Sequence, residues 1–259
     1  LKFTTSDHVQ LAYSDEGTGQ PVVLIGGIGS YQGIWLPTQQ YLVAQGYRVV
    51  TMDARNQGLS QRTIKGRRIS RHAMDLAELL AALDLQNVIG IGNSMGASTL
   101  FAYASLFGKG RFKSFVDVDQ SPKMIADRSW SFGFKNLTWD NFPAALKLPM
   151  GPATATPVTD EVRQAVQQAR ANHPYNPEQN YPCLVDHAFQ DWRDVLLRLQ
   201  IPLLVVAGDQ SPYFDPHFAS ATTQLAPLGE SAVVQHAGHI VMAEQPARFN
   251  AILSSFLAK

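Results

Sequence analysis

Gly92-Asn93-Ser94-Met95-Gly96 places a serine between two glycines in a G-x-S-x-G pattern. The pattern alone is common, and its flanks give it meaning. The apolar run Asn87 to Ile91 before it reads as a strand, and Ala97 to Leu106 after it reads as a helix. That is the strand–turn–helix setting that exposes a nucleophilic serine, with glycines where a tight turn leaves no room for Cβ atoms. The helix N-terminus would favour negative charge developing beside Ser94. A serine hydroxyl needs a base to take its proton, so a histidine is required. Of seven histidines, His239 follows the last strand pattern, sits after Gly238, and precedes the final helix. Chain order, serine before histidine, fits this motif class. His236 falls on the strand end and His8 in the N-terminal hairpin; His72, His173, His187 and His217 read as solvated or as part of an insertion. A histidine base must be neutral to act, so rates are expected to fall in acid.

Attack on a carbonyl creates an oxyanion, which needs two backbone donors. The Met95 N–H, next to the serine, is one. The Ile28 N–H, in Gly26-Gly27-Ile28-Gly29 after the first core strand, is the other. The same glycines partly match a phosphate-binding loop, but no acidic residue follows at roughly 20 positions, Asp53 standing at about 25, and no Walker lysine is present.

These residues need a scaffold. Continuous apolar runs at Pro21 to Ile25, Tyr47 to Met52, Asn87 to Ile91, Phe115 to Val118 and Pro202 to Ala207 fit strands buried on both faces of a parallel sheet. Ser231 to Gln235 is a weaker copy. Alternation in Lys2 to Thr5 and Val9 to Ser14 predicts a half-buried hairpin. Helical spacing covers Trp35–Gln45, with Leu36, Tyr41, Leu42 and Ala44 turned inward, and Ile69–Leu83, with Met74, Leu76, Leu79, Leu80 and Leu83 on one face. Ala97–Leu106 is apolar all round, which predicts a deep helix, and Ala243–Leu257 closes the chain. Strands alternating with helices make the fold class α/β with a mostly parallel central sheet. Residues 122–197 break this rhythm: they hold many aromatics but no buried strand. A structureless loop of that length is implausible in a compact domain, so they are expected to form a mostly helical cap. The core is then 1–121 with 198–259. Trp130, Phe134 and Trp139 are the cap aromatics expected to line the substrate site.

Composition narrows the function classes. The 259 residues carry 21 basic and 21 acidic side chains, so no net field draws nucleic acid or an anionic membrane. The basic cluster Lys65, Arg67, Arg68 and Arg71 reads as a solvated helix start. The single cysteine, Cys183, allows no internal disulfide and no cysteine-rich metal site. The N-terminal stretch lacks a signal-peptide pattern, and no apolar run spans a bilayer. A cytoplasmic protein acting on a small molecule is expected; the oligomeric state is not readable.

The residues resemble the α/β-hydrolase superfamily, in its cap-bearing esterase, lipase and haloperoxidase-like branch. Asp53-Ala54-Arg55-Asn56-Gln57-Gly58-Leu59-Ser60 is similar to that family's D-x-R-G-x-G-x-S loop, and Gly238-His239 with Glu244-Gln245-Pro246 is similar to its G-H…E-x-P ending. The resemblance implies a Ser–His–acid triad, no cofactor and no metal, with Asp53, Arg55 and Ser60 shaping the floor of the site. Gly26 departs from the family's usual histidine, a change expected to loosen the oxyanion loop, and Asn56-Gln57 replaces a Gly-His pair. Ser211 stands where the family carries its triad aspartate. Some members carry the acid at the preceding strand end, where Asp119 lies here. Asp119 is therefore the expected acid, and Asp209 is the alternative. Asp215 lies at the next helix, and Asp117 sits two residues deeper in the strand. The expected activity is cleavage of a small to medium, mostly apolar carboxylic ester, or of an amide, through a Ser–His–Asp triad and an acyl-enzyme. C–C bond hydrolysis or perhydrolysis on the same triad, and a non-catalytic binding protein on the same fold, are the alternatives.

Overall fold

The computed structural model describes residues 1–259. Strands β1 (Lys2–Thr4) and β2 (Gln10–Glu16) open the chain, followed by β3 (Pro21–Ile25), helix α1 (Leu36–Ala44), β4 (Arg48–Met52) and α2 (Ile69–Ala82). Next come β5 (Val88–Asn93), α3 (Met95–Phe107) and β6 (Phe112–Val118). After a long excursion carrying α4 (Asp160–Asn172), α5 (Pro177–Phe189) and α6 (Arg193–Leu196), the chain returns to β7 (Leu203–Gly208). It ends with α7 (Phe218–Thr223), β8 (Gly229–Val234), α8 (Val241–Glu244) and α9 (Pro246–Leu257).

The sheet order is β1-β2-β4-β3-β5-β6-β7-β8. β1 and β2 pair antiparallel, as does β2 with β4, and every later pairing is parallel. The hairpin and the mostly parallel α/β sheet therefore match the sequence reading. The apolar runs are continuous because both faces are covered. Val22, Leu24, Ile89, Ile91, Val116 and Val206 pack on the side of α1 and α9, whereas Val23, Ile25, Val88, Phe115 and Val205 pack on the side of α2 and α3. Period-two alternation sends neighbours to opposite cores, so a strand between two cores is apolar at most positions, with Thr51, Ser114 and Asp117 the buried polar exceptions in β4 and β6. α3 is buried from Met95 through Ala104, as its all-round apolarity predicts.

Several details differ from the spacing argument. Met74 faces solvent on α2, and His72 and Asp75 are buried instead, because Asp75 meets the buried Arg55 guanidinium at 2.7 Å. In α1 the inward residues are Thr38, Gln39 and Leu42 rather than Ala44. The Tyr41 hydroxyl contacts Ser254 on α9, so α1 is clasped between sheet and helix and has no single apolar face. The closing helix is split at Pro246, which opens α9. In the excursion after β6, helices occupy only the second half. Residues 122–159 hold isolated bridges and one 3₁₀ turn, Ala144–Lys147, and their aromatics pack without regular structure. No helix is long and apolar enough to cross a membrane.

Candidate active site

Ser94 sits between the end of β5 and the first turn of α3 with φ 56° and ψ −126°. An L-residue holds that left-handed conformation only under constraint. The glycines around it are needed for close approach: a Cβ on Gly92 would lie 2.3 Å from the Ala97 nitrogen, and one on Gly96 2.2 Å from the Ile25 oxygen. Asn93, just before the serine, is buried, and its Nδ2 donates to Val118 O and to His239 O, each at 3.0 Å. The strand carrying Ser94 thereby holds the backbone of the loop that carries His239.

His239 follows β8 in a loop fixed from two directions. Its N–H donates to Ala153 O at 2.8 Å. The buried Glu244 carboxylate accepts from Gly238 N at 2.9 Å and Ile240 N at 3.1 Å, and also from Ala155 N and Thr156 N. One carboxylate thus closes the histidine loop and ties the excursion to it, which gives the Glu244 of the terminal motif a physical role. The Tyr213 ring meets the imidazole edge-on with centroids 4.6 Å apart.

The imidazole Nδ1 lies 2.7 Å from Asp119 Oδ2. Asp119 is fully buried just past the end of β6, with φ 57°. Its Oδ1 accepts from Gly208 N at 3.0 Å, and its Oδ2 also accepts from Ser211 Oγ at 2.6 Å. Ser211, at the position expected to hold an acid, instead donates to one. Asp209 accepts from Ala237 N at 3.2 Å and makes no hydrogen bond to the imidazole, Asp215 pairs with exposed His217, and exposed His236 uses its carbonyl to accept from Thr156 and Gln245.

Gly27 lies against the serine so closely that a Cβ there would be 2.7 Å from Ser94 Cβ. The following Ile28 N–H has no acceptor within the protein, and Met95 opens α3, where the first amides lack intrahelical partners. The glycine loop after β3 is held at two points. Gly29 N–H donates to Gln57 Oε1 at 2.6 Å, and Ser30 Oγ donates to Gly27 O at 2.8 Å. Gln57 Nε2 in turn donates to buried Asn180 Oδ1 on α5 at 2.6 Å. The replaced pair Asn56-Gln57 therefore has a consequence that sequence reasoning missed; an amide preceding the Gly58 turn was the only signal.

Ser94, His239, Ile28 and Phe134 line one cavity of about 720 Å³. Trp130 and Trp139 do not line it. Trp130 is buried beneath its own loop, with Nε1 donating to Ser121 Oγ at 2.9 Å. Trp139 is 50% exposed and packs edge-on against Phe142 and Phe189 on the outer surface. Aromatic content marked the excursion but not which aromatics turn inward. α4 and α5 also contribute to the cavity, including His187, which is buried rather than solvated. Burial, and secondarily the neighbouring His239 ring, pushes the His187 imidazole down to about 3, so its ring is neutral near pH 7.

Asp53, Arg55 and Ser60, expected at the floor of the site, do not line the cavity. Burial pushes the Asp53 carboxyl up to about 6, against the lowering effect of hydrogen bonds from Leu59 N and Gln32. Ser60 Oγ donates to Asp53 O at 2.6 Å, and Arg55 spans Asp75 and Asp7. Arg71 joins that ion-pair group through Asp75 and Glu78, whereas the sequence suggested a solvated helix start. Cys183 is a buried thiol, pushed up to about 12 mainly by burial. No group of three His, Cys, Asp or Glu side chains is arranged to hold a metal.

Residues 20–246 match the alpha/beta hydrolase fold family, and the chain belongs to that family. Among curated relatives, a non-heme chloroperoxidase of Streptomyces lividans is 27% identical over 277 residues, covering 98% of each chain. Among solved structures, an esterase from Exiguobacterium antarcticum superposes with a TM-score of 0.86 at 20% identity, covering 100% of this chain and 99% of its own. A bromoperoxidase from Bacillus anthracis gives 0.84 at 24% identity, with 100% of both chains covered. At those identities the structural likeness speaks for the fold.

Proposed function

We propose that the protein is a serine hydrolase that cleaves a small to medium, mostly apolar carboxylic ester through Ser94, His239 and Asp119. The observation that carries this reading is the 2.7 Å contact from His239 Nδ1 to Asp119 Oδ2, with the imidazole and Ser94 opening on one cavity. Asp119 holds the ring with its proton on Nδ1, leaving Nε2 free to accept the Ser94 proton. Ser94 Oγ attacks the ester carbonyl carbon, and the carbonyl π pair moves to oxygen, where the Ile28 and Met95 N–H groups receive it. Collapse expels the alcohol, which takes the proton from His239 Nε2 and leaves an acyl-serine. Water, deprotonated by the same imidazole, repeats the attack and releases the acid. The insertion between β6 and β7 acts as the cap, and its inward side sets what fits.

The test is a fluorophosphonate probe, in which Ser94 Oγ bonds phosphorus and fluoride leaves. Stoichiometric labelling of the wild type, lost in Ser94→Ala, is the expected result. Folded wild-type protein that stays unlabelled favours a non-catalytic binding protein instead. The chloroperoxidase relative favours a second reading on the same acyl-enzyme, with hydrogen peroxide replacing water and yielding a peracid. Peracid formation from an ester and peroxide distinguishes the two.

A further inference from the structure

His187 is a second imidazole in the cavity, and the reaction outlined above leaves it without a task. The residue is 3% exposed, so the little of it that is accessible faces the cavity it lines with Ser94 and His239. Its Nδ1 is shut off from solvent and has no hydrogen-bond partner. Nε2 has no protein partner either, and it is not among the enclosed unpartnered atoms, so it retains access to the cavity. Native interiors leave few polar side-chain atoms unpaired, and an unpaired N–H is rarer than an under-used acceptor. The less costly tautomer therefore leaves the lone pair on enclosed Nδ1 and directs the Nε2–H into the cavity. A neutral ring, as burial enforces here, carries one such donor and no charge.

We infer that His187 is a specificity-determining residue whose Nε2–H donates a hydrogen bond to an oxygen atom carried by the substrate close to the ester group being cleaved. The substrate class is thus an ester with an additional acceptor oxygen, keto, hydroxyl or ether, in its acyl or alcohol part. This rests on the serine-hydrolase reading and goes beyond it, since an aliphatic ester would leave the donor buried without a partner. A site built to bond such an oxygen rejects the isosteric hydrocarbon, because binding the latter desolvates the donor for nothing in return.

The experiment compares kcat/KM for two isosteric pairs. Methyl 3-oxobutanoate against methyl 3-methylbutanoate places the oxygen in the acyl part. The second pair, 2-methoxyethyl butanoate against butyl butanoate, places it in the alcohol part. Each ratio is measured in the wild type and in His187→Phe, so that intrinsic reactivity cancels. In at least one pair the ratio is expected to fall about ten-fold or more in His187→Phe, and His187→Gln, which keeps an N–H donor, should recover part of it. Fluorophosphonate labelling of Ser94 in each variant reports that the site is still assembled, and His187→Leu serves if the larger ring does not fit. Ratios that stay within about three-fold of wild type in both pairs, with labelling intact, overturn the inference and leave the hydrolase reading standing. Wild-type protein that neither takes the probe nor cleaves any of the four esters overturns both.

Discussion

Asp119 accepts hydrogen bonds from Gly208 N–H, the Ser211 hydroxyl and the His239 ring, so three elements converge on one buried carboxylate. The Ser211 hydroxyl donates where a second carboxylate at that position would have repelled Asp119, which makes serine the compatible partner for an acid at the β6 end. Asp119→Asn should fold and lose about 10³–10⁴ in kcat, since the amide no longer fixes the proton on Nδ1. Asp209→Asn should remain close to wild type, because the Asp209 carboxylate accepts from the Ala237 amide and makes no hydrogen bond to His239. Steady-state kinetics on the two variants decide the matter, and the reverse pattern would assign the role to Asp209. Ser94 and His239, with Asp119 and Asp209 as alternative acids, were legible as candidates because motif, chain order and strand ends are local signals. The hydrogen bond that selects Asp119 was not, since it joins residues 120 positions apart.

At the scale of elements, the oxyanion loop, the turn after β4 and α5 are joined through one side chain. Gln57→Leu removes the acceptor for Gly29 N–H and the donor to Asn180, leaving two groups unpaired at about 1–3 kcal/mol each. The expected outcome is a lower Tm together with a kcat reduced about ten-fold, with KM moving less, because the Ile28 donor acts on charge that develops only in the transition state. Gln57→Glu restores the acceptor without the donor and should recover kcat more than Tm. A fall in Tm with kcat unchanged in both variants would make the glutamine a structural brace only. Trp139 belongs to the outer aromatic cluster, so Trp139→Ala should leave the order of preference among esters of increasing acyl length unaltered. A changed order would show that the cavity extends to it. The five inner strands β3 to β7 were legible because burial on both faces writes a nearly unbroken apolar run, whereas the largely exposed edge strand β8 writes only a weak one. The first half of the insertion was not, since its aromatics pack through bridges and turns that leave no period in the sequence.

Across the whole molecule, the sheet that positions Ser94, Asp119 and His239 also buries a carboxyl to which the proposed reaction gives no task. Asp117 lies in β6 two residues before Asp119, 1% exposed, with Oδ1 accepting from Gln120 N at 3.1 Å and Oδ2 unpartnered. Burial, and then repulsion from Asp119, hold it well above the usual carboxylate range. The native state therefore keeps a proton that the unfolded chain releases above about pH 4. Stability falls with rising pH wherever the native state binds more protons, so this contribution is whole in acid and is lost progressively as pH rises toward the folded pKa. Asp117→Asn keeps the acceptor for Gln120 and cannot ionise. Its Tm should lie close to wild type near pH 4 and exceed it increasingly toward pH 8. The buried Asp53 carboxyl, pushed up to about 6, acts in the same direction but is present in both proteins and cancels from the difference. Thermal unfolding of the two proteins across that range is the measurement. A Tm difference that does not change with pH would mean that Asp117 is ionised in the folded protein, and that the end of β6 holds two carboxylates two residues apart close to His239.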